Sequence, residues 1–106
     1  MTDKELLELA AKAAGMMGTC AEFQSPERLV FLPDGSSQEW NPLTGNDDAM
    51  RLAVKLGLDI FCRPAQWSEC GRIGTAGHRE LYKGDDPYAA TRRAIVRAAA
   101  EIGRKM

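Results

Sequence analysis

The chain alternates between stretches with a helical hydrophobic repeat and short apolar runs broken by turn residues. Leu6, Leu7, Ala10, Ala13 and Ala14 recur at the three- and four-residue spacing that lines one face of a helix. Ahead of them, Thr2-Asp3-Lys4-Glu5 fits a capping box, and Gly15 can take the left-handed conformation that closes a helix. This predicts a helix over residues 3–14. Ala49, Leu52, Ala53 and Leu56 form a second apolar face, with Asn46 or Asp47 placed to cap it and Gly57 to end it, which predicts a helix over 47–56. Asp86-Pro87 opens a third over 87–103. Asp is a good cap, and proline at the first helical position gives up an N–H that has no helical partner. Its predicted stripe is Tyr88, Thr91, Ile95, Ala98, Ala99 and Ile102.

Strand signals fall between the helices. Arg28-Leu29-Val30-Phe31-Leu32 is a short apolar run, followed by the turn residues Pro33-Asp34-Gly35-Ser36-Ser37 and a returning arm at Gln38-Glu39-Trp40. A further short strand is expected near 21–24, another at 58–62, and another at 79–82, paired with 58–62 or with a piece near Arg72-Ile73. Residues 63–77 are punctuated by Pro64, Gly71, Gly74 and Gly77, and Trp67 is expected in a polar loop. The expected fold is α+β: one domain over 1–106, with a small antiparallel sheet of three to five short strands packed against three helices. Both terminal helices are rich in alanine, which lets them approach a neighbour closely.

Composition narrows the function classes. The chain is 44% hydrophobic and 27% charged, as a folded domain should be. Lys and Arg number 14 against 15 Asp and Glu, so no global field draws the chain to nucleic acid or membrane. No run approaches the ~20 apolar residues that span a bilayer, and no membrane role is expected. The start of the chain lacks the basic and apolar segments of a secretory signal, and three cysteines make no disulfide framework. A reducing cytoplasm is the expected setting.

Candidate chemistry is sparse. Cys20, Cys62, Cys70 and His78 are the right types for zinc, but no two lie closer than eight positions, and zinc sites in sequence usually show close pairs. They read as buried small hydrophobes or loop thiols, and neither metal nor cofactor is expected. His78 is the only imidazole that could activate a cysteine, and no family signature surrounds any of the three. The Gly-rich stretch 71–77 is spaced G-x-x-G-x-x-G with no helix after it, so it reads first as a flexible turn. Arg72 and Thr75 in it would suit an anion. Arg93, Arg97 and Arg104 fall on one side of the last helix. They read first as a solvated face paired with Glu5, Glu8 or Glu101, and second as phosphate contacts. Asp47-Asp48 and Asp85-Asp86 sit just before helices, where capping accounts for them. Trp40 is expected in the core and Trp67 at an exposed contact. The candidate binding set is therefore Trp67, Arg72, Thr75, His78, Arg93 and Arg97, with no catalytic residue.

Two segments carry a resemblance. One is Trp40-Asn41-Pro42-Leu43 with Asp47-Asp48-Ala49-Met50-Arg51-Leu52 and Lys55-Leu56-Gly57-Leu58; the other runs from Asp86-Pro87-Tyr88 to Ile102-Gly103. In order and spacing they resemble small accessory proteins of tailed phages and prophages of the NinX type. The resemblance implies a phage or prophage origin, a bacterial cytoplasm and no catalytic residues. The expected function is a non-enzymatic accessory protein that binds a host or phage macromolecule, in host takeover or counter-defence. A protein partner ranks first, a small anionic or nucleotide-like ligand second, and nucleic acid third. The oligomeric state is left open.

Overall fold

A computed structural model describes residues 2–22, 29–34, 39–63, 66–71, 77–81 and 86–106. Its elements run α1 (Asp3–Ala13), β1 (Gly18–Glu22), β2 (Leu29–Pro33), α2 (Asn46–Leu56), β3 (Asp59–Arg63), β4 (Trp67–Gly71), β5 (His78–Leu81) and α3 (Pro87–Arg104). The α+β class, the three helices and the antiparallel pairing are as the sequence pattern predicts. The strands divide between two sheets: β1-β2, and β3-β4-β5 with β4 in the centre.

The helix ends follow from local chemistry. Thr2 Oγ1 accepts the Glu5 N–H at 3.2 Å, and Asp86 Oδ1 accepts the Ala89 N–H at 2.9 Å. Each satisfies a first-turn donor that has no helical partner. Gly15 has φ +76°, and the Met16 N–H returns to the Ala11 carbonyl at 2.9 Å. That bond and the left-handed glycine make a Schellman closure. Helix α2 departs from expectation at its start: its cap is Gly45, which offers no side-chain bond. Asp48 reaches past the cap instead, and its Oδ2 accepts the Asn41 N–H at 3.0 Å. Asn41 Oδ1 in turn accepts the Leu43 N–H at 2.9 Å, which rigidifies the turn before α2.

Helix α3 is the spine. It packs most extensively on α1, then on β4, α2 and β5. Ala94, Ile95, Val96, Ala98, Ala99, Ala100 and Gly103 are all buried. Seven such positions exceed one stripe, because partners lie on several sides. Tyr88, expected in the stripe, is 68% exposed. The small side chains bring α1 and α3 together: a Cβ on Gly103 would collide with the Leu9 carbonyl. Leu6 and Ala10 of α1, its capping residue Ala14, and Ala49, Leu52, Ala53 and Leu56 of α2 complete the core around α3. Arg92 ties α3 to the turn before α2, donating from Nε to the Leu43 carbonyl (2.9 Å) and from Nη1 to Asn46 Oδ1 (2.7 Å).

Strand pairing adds partners that the pattern did not show, and β5 pairs with β4 rather than directly with β3. The apolar run of β2 pairs along its length with β1, from Gly18↔Pro33 to Glu22↔Leu29. On its other edge β2 meets Trp40 of the expected returning arm at an antiparallel bridge to Phe31, through two backbone bonds of 2.9 Å and an edge-on ring contact at 5.7 Å, while Gln38 of that arm lies outside the described residues. Residues 67–71 are strand β4, not polar loop, and Trp67 lies in a ladder with β3 on one side and β5 on the other.

Replacing glycine by alanine inside an exposed helix normally stabilises it by about 1 kcal/mol. Gly103→Ala should do the reverse and cost about 1–3 kcal/mol, because the added methyl overpacks a backbone contact. Chemical denaturation of the two proteins measures the sign.

Candidate functional site

The site is set by which way each strand of the second sheet faces. Ser68 and Cys70 of β4 are buried against α3, while Trp67 and Glu69 alternate to the other side. The buried Ser68 hydroxyl is paired with Thr91 of α3 at 2.7 Å. Thr91 Oγ1 donates its own proton to the Pro87 carbonyl at 2.8 Å, so Ser68 is the donor between them. This bond locks the inner face of β4 to α3 and thereby fixes Trp67 outward.

On the outer face, Phe61 of β3 lies opposite Glu69, and Arg79 of β5 lies opposite the same residue. Trp67 is diagonal to both. Its ring centroid is 5.8 Å from that of Phe61 at a tilt of 31°, and the Arg79 guanidinium carbon sits 3.8 Å over the indole. Arg79 also stands 3.7 Å from Glu69. The carboxylate thus aims the guanidinium at the ring, and a cation over an indole face is attracted by its quadrupole. Arg63, opposite Trp67, and Asp59, two residues before Phe61, extend the same face. Phe61 is 56% exposed, and β3 is exposed at every position. Among the described residues no helix lies over this side.

The candidate binding residues separate. Trp67 sits in the outer cluster. His78, Arg93 and Arg97 belong to the opposite side, where β5 meets α3. Arg72 and Thr75 lie outside the described residues. Arg97 Nη1 is bonded to Glu80 of β5, and Arg93 is 3.1 Å from Asp3 and 3.9 Å from Glu80. The arginine side of α3 is therefore paired with acids: Asp3 and Glu80, in place of the expected Glu5 and Glu8, partner Arg93 and Arg97, and the expected Glu101 partners Arg104. Arg93 also borders an open cleft of about 270 Å³ lined by Asp3, Glu80 and Asp86, a more acidic setting than a phosphate prefers. No protein-family model, curated protein or solved structure matches the chain. The outer face therefore rests on its own geometry. The sequence carries no signal for Phe61 and Arg79 in this cluster, because their meeting with Trp67 depends on a three-strand register.

The thiols and the imidazole also fall into place. Cys70 and His78 are direct cross-strand partners. Burial, reinforced by Asp59, pushes the Cys70 thiol up to about 12, away from the thiolate that nucleophilic chemistry needs. Cys20 lies in the other sheet, where burial and the nearby Glu8 raise its thiol as well. Among the described residues, no three acidic, cysteine or histidine side chains converge as a metal site. His78 is held below its ordinary value of 6.5, first by burial and then by Arg97, against the smaller opposing pull of Glu101 and Glu80.

Two outcomes follow. Under native conditions a thiol-alkylating reagent should modify exposed Cys62 first and buried Cys70 only on unfolding, as peptide mass spectrometry will show. The lowered His78 value means that the unfolded chain binds its proton more readily. The contribution is complete above the unfolded value near 6.5 and is lost as pH falls through the lower folded value. Unfolding free energy should fall on acidification over that window, and His78→Gln should flatten that part of the profile.

Proposed function

We propose that the protein is a non-enzymatic binding protein that docks a protein partner on the outer face of the β3-β4-β5 sheet. The observation that carries this reading is Trp67 stacked beneath Arg79 and beside Phe61 on a side that no described helix covers. Tryptophan and arginine dominate the energetic centres of protein interfaces, and an ordered aromatic loses little freedom on binding. The face balances Arg63 and Arg79 against Asp59 and Glu69. That balance favours a mixed protein surface over a polyanion, whose binding draws on an excess of positive charge. The likeness of Trp40-Asn41-Pro42 and the Asp86-Pro87 helix to NinX-type accessory proteins supports a phage or prophage setting, with a host or phage protein as partner and host takeover or counter-defence as the role.

Affinity capture from a bacterial host, quantified for the native protein and for Trp67→Ala, tests the reading. A central aromatic typically contributes 2 kcal/mol or more, so loss of the ring should weaken capture of a specific partner by about 30-fold. Thermal melting of the variant controls for folding. Capture that is undiminished by Trp67→Ala and by Phe61→Ser sinks the proposal.

A further inference from the structure

Strand β3 is exposed at all five positions and borders only β4 in its sheet, so among the described residues its other edge meets no strand. Edge strands commonly carry features that discourage a second edge from pairing, such as like charges or inward lysines. Asp59-Ile60-Phe61-Cys62-Arg63 has the opposite arrangement. Laid antiparallel against itself with Phe61 on a two-fold axis, it places Asp59 opposite Arg63 and Arg63 opposite Asp59. Ile60 then faces Cys62 on both sides, and Phe61 faces Phe61. We propose that the protein forms a two-fold dimer through β3, giving one continuous antiparallel sheet in the order β5-β4-β3-β3-β4-β5.

Three features favour this register. An isologous contact needs a surface complementary to itself, and a strand with an acid at one end and a base at the other is complementary when inverted. Among the described residues neither Asp59 nor Arg63 has an ion-pair partner within its own chain. Sliding the pairing by two residues in either direction separates both charge pairs, and sliding it by one turns the outer face of one copy against the inner face of the other. In the proposed register the two Phe61 rings and the two Trp67 rings lie on one side of the sheet. Both copies of α3 lie on the other, so the dimer keeps the two-layer arrangement of the monomer. Cross-strand pairs of opposite charge and of aromatic rings are the contacts that stabilise such a junction. Five residues a side is a small interface, so the dimer is weak and depends on concentration. The inference does not rest on the partner-binding reading: it uses the backbone edge of β3, with Asp59, Phe61 and Arg63 bordering both surfaces, and self-association of the purified chain is read without any partner.

Sedimentation equilibrium of the full chain at low salt, from low-micromolar to near-millimolar concentration, tests it. The native protein should show a reversible monomer–dimer equilibrium. Asp59→Arg alone and Arg63→Asp alone each set like charges opposite one another and should raise the dissociation constant by about tenfold or more. The double swap Asp59→Arg/Arg63→Asp restores opposite charges and should return dimerisation to near the native level. Both residues are exposed, and thermal melting confirms that each variant folds. A native protein that stays monomeric throughout overturns the proposal. So does a dimer indifferent to the single swaps, or one lost in the singles and not regained in the double.

Discussion

The close approach of α1 and α3 is the constraint on which the rest of the structure depends. Gly103 lies against the Leu9 carbonyl with no room for a Cβ. Ala94, Ala98, Ala99 and Ala100 of α3 share one buried cluster with Leu6 and Ala10 of α1 and its capping residue Ala14. Small residues shorten the distance between helix axes and increase dispersion contact along the backbone. They also leave little side-chain bulk to fill space. The core is completed by Leu52 and Leu56 from α2 and by Ile95 and Val96 from α3 itself. A chain of 106 residues can build one such core, and α3 is the element that every part of it touches.

That arrangement decides which face of the second sheet is available. Helix α3 claims the Ser68 and Cys70 side of β4, and strand alternation then sends Trp67 and Glu69 outward. The burial of Ser68 would be costly without a partner, and the Thr91 hydroxyl supplies one. The same alternation in β5 sends Glu80 inward, where it meets Arg93 and Arg97, and Arg79 outward, where it covers the indole. One strand thus serves two electrostatic settings. The inner pairs close the seam between α3 and the sheet, and the outer pair orders an aromatic surface.

Much of this was legible in the sequence wherever the cause is local. The caps at Thr2 and Asp86, the glycines at 15 and 57 and the helical faces all depend on residues within a turn of one another. The helix limits accordingly fall within a residue or two of expectation. Strand β4 was not legible, because Trp-Ser-Glu-Cys-Gly has no β-branched residue and derives its conformation from pairing on both sides. The returning arm at Trp40 was legible in part: Trp40 bridges Phe31 antiparallel, on the edge of β2 that β1 leaves open. The partner on the other edge, β1, was harder to read, because it is a segment rich in small residues whose strand character comes from its partner. The arginine face of α3 was visible, but Asp3 and Glu80 reach it only through the fold.

The contrast between β3 and β4 ties these points together. By sequence β3 is the better strand, with Ile60 and Phe61 at its centre, and β4 is the poorer one. The fold buries the poorer strand and leaves the better one at an open edge. Helix α3 explains the choice: it packs closely on β4 through the small inner residues Ser68, bonded to Thr91, and Cys70, where a bulkier side chain would force the helix away. The bulky apolar residues are displaced outward, to the edge and outer face of the sheet. A tightly packed small-residue helix and an exposed aromatic surface are therefore two results of the same packing requirement.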